Sequence, residues 1–389
     1  MGSSDRGPAD QSDRGELALR GARVRGGAIV YRLYDVGYEI DLDRVSALLE
    51  PSGAARVRPV RGEAVAIQIP NPPVTVALST DRIAVDGRTC EAQVSARVFD
   101  FGAVSLRLEV AAPPAIDWGD FVAFGNAIDE RTDLTPLFER HLSSLLTRLS
   151  AAVERPAVAP VVEDYVVFRV ADATLADGTH ATAQAFQDDD LVPLLIGEHK
   201  ALSAAARREL LPHRFSYYQD DLTVLTWNNA LIVDSPGEHA NESDIQYILE
   251  FANAQLLELR VYDAILDAEL PKIYDRIAAA RGGWALLRRR YASVLGEIQV
   301  LVAHSTELVE RVDNAIKMTD DVYLARVYLA AIDLFRGRTW RDALARKLGI
   351  MRETYGMLNG ESQALRTEVL EIAIVALIVI ELVLAFLRR

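Results

Sequence analysis

The chain has 389 residues, half of them hydrophobic and a quarter charged, with 56 acidic against 42 basic side chains and a formal net charge of −14. That length allows two or three domains, and the negative balance argues against direct nucleic-acid binding, because phosphates need a positive partner. A single cysteine, Cys90, excludes an intrachain disulfide and any cysteine-built zinc or iron–sulfur site within one chain.

Met1 to Glu16 is polar and lacks the apolar core of a signal peptide, so residues 1–26 are expected to form a disordered tail. Residues 27–160 read as an α+β domain. Strands are expected over residues 28–33, 63–69, 74–78, 82–85, 90–98 and 103–110, with Pro70-Asn71-Pro72-Pro73 as a break and Asp86-Gly87 as a tight turn. Helices are expected over residues 43–49, 117–127 and 135–153. In the last of these Phe138, Leu142, Leu145, Leu149 and Ala152 share one stripe. A second α+β unit spans residues 161–240. It has a strand from Tyr165, a helix over residues 201–211 and a hairpin from Leu222 to Asp234 around Asn228-Asn229.

From 241 to 366 the pattern is helical. Ile245, Leu249, Leu256, Leu259 and Leu266 step by threes and fours, with Asp263 at the one polar seam position, and a second run passes through Leu301 and Leu308. A third runs through Leu344, Leu348, Met351, Leu358 and Leu365. Such spacing is the coiled-coil signature, and it fits either an intramolecular bundle or homo-oligomerisation. Residues 367–389 form the most apolar segment. Val369 to Leu387 contains Ile372 and Ile380 and only two polar side chains, Glu371 and Glu381. Its 19 residues would span roughly 28 Å as a helix, close to a hydrocarbon core of about 30 Å. The expectation is a tail-anchored, single-pass membrane protein with the lipid bilayer as a partner and its body on the cytoplasmic side. The fold class is then α+β: a mixed N-terminal body, a long-helix coiled-coil region and one C-terminal transmembrane helix.

No phosphate-binding glycine loop, zincin helix or nucleophile elbow occurs in the sequence, so no catalytic residue, cofactor or metal is expected. Asp188-Asp189-Asp190 reads as a solvated acidic loop. The alternative is a hard-cation site, with His180 and His199 nearby, serving a membrane-attached hydrolase or metal-binding enzyme. Arg288-Arg289-Arg290 is the one dense basic cluster. It reads as a solvated helix face, or as a contact for RNA, a ribosome or anionic headgroups.

The segment from Ile248 to Asp267 (Ile-Leu-Glu-Phe-Ala-Asn-Ala-Gln-Leu-Leu-Glu-Leu-Arg-Val-Tyr-Asp-Ala-Ile-Leu-Asp), the preceding Leu225-to-Val233 hairpin and the apolar ending from Glu368 resemble the required-for-meiotic-nuclear-division family. The likeness covers the chain from about Asp164 onward. It implies an α+β body, a helical region and a C-terminal membrane segment in a membrane-held, oligomeric, non-enzymatic protein. Mitochondrial members of that family are associated with support of organelle translation. Together these readings point to an oligomeric scaffold or tether that holds an unidentified protein partner, such as a translation-related assembly, at a membrane.

Overall fold

A computed structural model describes residues 19–50, 55–56, 71–131, 133–234, 244–280 and 321–387, with isolated positions between 296 and 306. The first strand, β1 (Arg23–Asp35), sits at the centre of the main sheet. Its side chains alternate between two buried faces. Ala28, Val30 and Tyr34 enter one core, and Ile29, Tyr31 and Leu33 enter another. The period of two is the pleat itself, and burial on both faces explains why the strand reads as a continuous apolar run.

The remaining strands are β2 (Glu39–Ile40), β3 (Ala55–Arg56), β4 (Val74–Val85), β5 (Arg88–Val98), β6 (Ala103–Ala111), β7 (Ile116–Asp117), β8 (Val153–Glu154), β9 (Val162–Thr174), β10 (His213–Phe215), β11 (Leu222–Leu225) and β12 (Asn229–Val233). Ten of the strands build one sheet in the order β10-β11-β12-β9-β1-β6-β5-β4-β3, with β7 pairing on β1; β2 and β8 form a separate pair. All neighbours are antiparallel except β12 and β9. Tyr31 lies opposite Tyr165, so the expected boundary at residue 160 falls inside a single sheet. The expected tail also ends earlier than residue 26, because Leu19, Ala22 and Val24 are buried in the first core.

That first face is covered by α1 (Leu42–Leu49), α2 (Trp118–Asp129), α3 (Thr135–Leu149) and α4 (Asp188–Leu195). In α3 the stripe Phe138, Leu142, Leu145 and Leu149 is buried, as its spacing demands. Asp117 caps α2 by accepting from the Asp120 amide at 2.9 Å. A short helix, α5 (Ala204–Leu210), precedes β10.

The second face is covered by α6 (Asp244–Ala280), α7 (Val322–Leu334) and the first turns of α8 (Gly337–Leu387). The seam expected at Ile245, Leu249, Leu256, Leu259 and Leu266 belongs to α6. Leu249, Leu256, Leu259 and Leu266 are buried, and Ile245 packs partly buried against the same core. Leu344, Leu348 and Met351 on α8 are buried as well. Within these helices the stripes therefore serve intramolecular packing. Leu301 and Leu308 lie outside the described residues.

α8 is 51 residues long, about 77 Å at 1.5 Å per residue. Met357 and the described large apolar side chains from Leu370 to Leu387 are about half exposed or more. The expected transmembrane helix does not stand, and with it go the tail-anchored assignment and the single-pass location. Among the described residues no helix is long and apolar enough to cross a membrane. The physical reason lies in Glu371 and Glu381, both exposed on the helix. They leave an uninterrupted apolar run only from Ile372 to Ile380, nine residues or about 14 Å of helix, half the thickness a span requires. The anchor residues assigned in sequence, Ile372, Ile380, Glu381 and Leu387, are surface positions on this helix; the Val369 side chain lies outside the described set.

Candidate functional site

Among the described residues, two clefts with polar linings stand out. The larger, about 520 Å³, opens between α2 and α4 and is lined by Trp118, Asn126, Glu130, Asp189, Asp190 and His199, among others. The acidic run that forms one wall is not a loop. Asp188, Asp189 and Asp190 are the first turn of α4, where carboxylates favour the positive end of the helix dipole. Arg214 reaches Asp188 at 3.2 Å, and Arg207 pairs with Asp189. Asp190 is buried, and its backbone carbonyl accepts from Trp118 Nε1 at 3.2 Å. Asn126 is engaged by the Pro193 carbonyl at 3.0 Å. His180 pairs with Asp172 at 3.2 Å, so it is not a partner of the acidic run, whereas His199 does line the cleft. A cleft with this lining can hold a small polar molecule. The smaller cleft, about 330 Å³, is lined by Glu39, Asp41, Asp43, Asn71 and Glu154. Among the described residues no group of three or more His, Cys, Asp or Glu side chains is disposed to hold a metal ion.

The densest buried polar chemistry lies along α6. From Asp244 to Leu259 the helix carries no basic residue, yet Gln246, Glu250, Asn253, Gln255 and Glu258 are all buried. The cations that meet Glu250 and Asp263 come from other elements. Arg97 on β5 pairs with Glu250, both side chains at most 3 % exposed; it also donates to Thr75 Oγ1 at 3.1 Å and lies 4.8 Å from the Tyr247 ring. Tyr328 of α7 donates to Gln255. Arg260 of α6 pairs with Glu163 on β9, and its guanidinium lies 5.8 Å from the Trp340 ring. Burial pushes the Glu163 carboxyl up, with Arg260 working against that rise. Lys347 of α8 reaches Asp263 at 2.7 Å and Asp267 at 2.6 Å. Asp263, the polar seam position, is thus the anchor of α8 on α6.

The hairpin turn at Asn228-Asn229 is tied to the same frame. Tyr165 Oη lies 2.8 Å from the Asn229 carbonyl, and Asn229 Nδ2 donates to Asp129 at 2.8 Å. Burial raises Asp129, and the Asn229 hydrogen bond opposes the rise.

Asp35, at the end of β1, is 8 % exposed, with Gly37 N donating to it at 3.2 Å. Burial pushes its pKa up to about 6, and the Gly37 hydrogen bond pulls the other way. A folded pKa above the unfolded value means the protonated form is favoured on folding. This contribution is complete below about pH 4 and is lost as pH rises through about 6. Asp35→Asn is expected to stabilise the protein by up to about 3 kcal/mol near pH 8 and by almost nothing near pH 4, read from urea unfolding at the two pH values.

Sequence reasoning singled out the acidic run, the α6 stripe and Asp263. It missed Arg97, Glu250, Glu163 and Lys347. The available signal was the cation-free stretch of α6, since a solvated helix would carry Lys or Arg four residues from its glutamates. Arg288, Arg289 and Arg290 lie outside the described residues.

The family described as "Uncharacterized protein MJ0711, N-terminal domain" has a model that matches residues 25–239. Uncharacterized protein MJ0711 of Methanocaldococcus jannaschii is 25 % identical over 198 residues, which cover 51 % of this chain and 59 % of that protein. The chain therefore spans under two thirds of its relative's length. No solved structure matches the chain.

Proposed function

We propose that this chain, which belongs to the MJ0711 N-terminal-domain family, is a non-enzymatic assembly protein whose α+β body is carried on a helical arm through which copies associate. The observation that carries this reading is the distal part of α8. Leu377 is 65 % exposed and Leu387 78 %, and the apolar positions between them fall at every angle around the helix. A helix apolar on all sides needs neighbours on all sides. A two-stranded coiled coil covers one stripe only, so the arm calls for a bundle of three or more chains. Support for the non-enzymatic half comes from the acidic run, where Asp188 and Asp189 are engaged in ion pairs that hold α4 to Arg214 and Arg207.

Light scattering on the full chain after size exclusion tests this. The expected result is three or more chain masses for the wild type and a shift toward monomer for Leu377→Glu with Leu384→Glu. A monomeric wild type across the accessible concentration range, or an unchanged mass in the double variant, would sink the proposal.

A further inference from the structure

One flank of the body carries an aromatic row. Tyr217, Tyr218 and Trp227 are each about half exposed. Tyr217 packs edge-on against Tyr218, with ring centroids 4.9 Å apart, and against Tyr323 in the first turn of α7 at 5.4 Å. One turn along α7, the Arg326 guanidinium lies 6.0 Å from the Phe215 ring on β10. Just beyond α7, Arg336 lies 5.2 Å from the Trp227 ring in the β11–β12 turn. Arg336 has φ +54°, a left-handed conformation uncommon outside glycine, asparagine and aspartate, and that turn aims its side chain at Trp227.

Several observations mark this flank as a surface built to receive something. β10 ends the sheet, and among the described residues no strand lies beyond it. Arg326 and Arg336 are exposed and form no ion pair among the described residues. Carboxylates nearby in sequence are engaged: Asp221 accepts from the Tyr217 and Tyr218 amides at 2.8 Å each, Asp321 accepts from the Tyr323 amide at 2.8 Å, and Asp333 pairs with Arg338 at 3.4 Å. Tyr, Trp and Arg are the side chains that dominate protein–protein binding energy. The 13 residues of α7 extend about 20 Å, the reach of roughly six residues of extended chain.

We propose that this flank docks an extended acidic segment of a partner protein. The segment adds to the outer edge of β10, sets carboxylates on Arg326 and Arg336, and seats apolar side chains among Tyr217, Tyr218 and Trp227. Charge selects this occupant over single-stranded nucleic acid. Two exposed guanidiniums without an ion pair among the described residues suit a pair of carboxylates, whereas a phosphate backbone is held by several cations. The proposal stands apart from arm association, because it concerns the start of α8, about 60 Å along that helix from Leu377.

The test is fluorescence anisotropy of the full-length protein with three labelled probes of about ten units, the length needed to overhang a six-residue groove. They are a peptide alternating Glu and Val, the same peptide with Lys for Glu, and oligouridylate. Saturable binding of the Glu peptide alone is expected. Arg326→Glu combined with Arg336→Asn should weaken it at least ~10-fold without moving the unfolding midpoint, since Asn tolerates the left-handed φ. Leu377→Glu with Leu384→Glu should bind the peptide as the wild type does. The proposal is overturned if the Glu peptide fails to bind, if the Lys peptide or oligouridylate binds as tightly, or if the arginine variant binds unchanged.

Discussion

Arg97→Met is expected to destabilise the fold by about 3–5 kcal/mol, because it leaves the Glu250 carboxylate at the sheet–helix junction without its guanidinium. Burial decides the magnitude. An exposed pair contributes about 0–1 kcal/mol, but here both side chains are out of water and neither ion can recover its hydration. Glu250→Leu should be comparably harmful, since it strands Arg97 instead. The double variant should recover most of the loss and can equal the wild type, because two apolar groups of similar volume replace two desolvated charges. Urea unfolding of the four proteins closes the cycle. Single variants that each lose under about 1 kcal/mol would show that the pair is effectively solvated.

Gly102→Ala is expected to lose about 3 kcal/mol or more, against about 1 kcal/mol for Gly87→Ala, as thermal or urea unfolding would measure. Both glycines close hairpins at positive φ, +98° and +71°. They differ in what a methyl group would meet. At Gly87 nothing lies within 4 Å, so only the conformational penalty applies. At Gly102 the new Cβ would fall 1.9 Å from the Gly37 carbonyl oxygen, a backbone atom that cannot turn aside. The Gly102 carbonyl also accepts from the Val36 amide at 3.0 Å, so moving the turn away breaks a hydrogen bond next to Asp35. Equal losses at the two sites would mean that the contact with Gly37 relaxes without effect.

Local periodicity made much of this fold legible. The α3 stripe is readable because four side chains at helical spacing must share a face. The Asp86-Gly87 turn is readable because its chemistry accepts positive φ at both positions, and both are observed there. The strands expected at 74–78 and 82–85 are one strand, β4, whose register shifts between Ala77 and Ser79; the irregularity and the polar residues around it mimic a break. α4 was hidden because three aspartates and Pro193 resemble a loop, although aspartate in a first turn favours a helix. For α6 the sequence says that a face is buried but not against what. Its partners Arg97, Glu163 and Lys347 come from distant parts of the chain, and one-dimensional spacing holds no record of such pairings. The apolar ending reads as a span on its mean apolarity alone, whereas Glu371 and Glu381 interrupt it near both ends.

The central position of β1 also governs the order in which this molecule can be made. Its antiparallel neighbour β6 is available early, but its other neighbour, β9, ends only at Thr174. With Tyr31 facing Tyr165, closing the middle of the sheet joins points roughly 130 residues apart, a costly loop to close and a mark of slow assembly. At ~5–20 residues per second, several seconds of synthesis separate the completion of β6 from that of β9. Throughout that interval the backbone edge of β1 that pairs with β9 has no partner strand, the geometry on which foreign strands add. The first strand of the sheet thus waits longest for its neighbour and ends up the best protected.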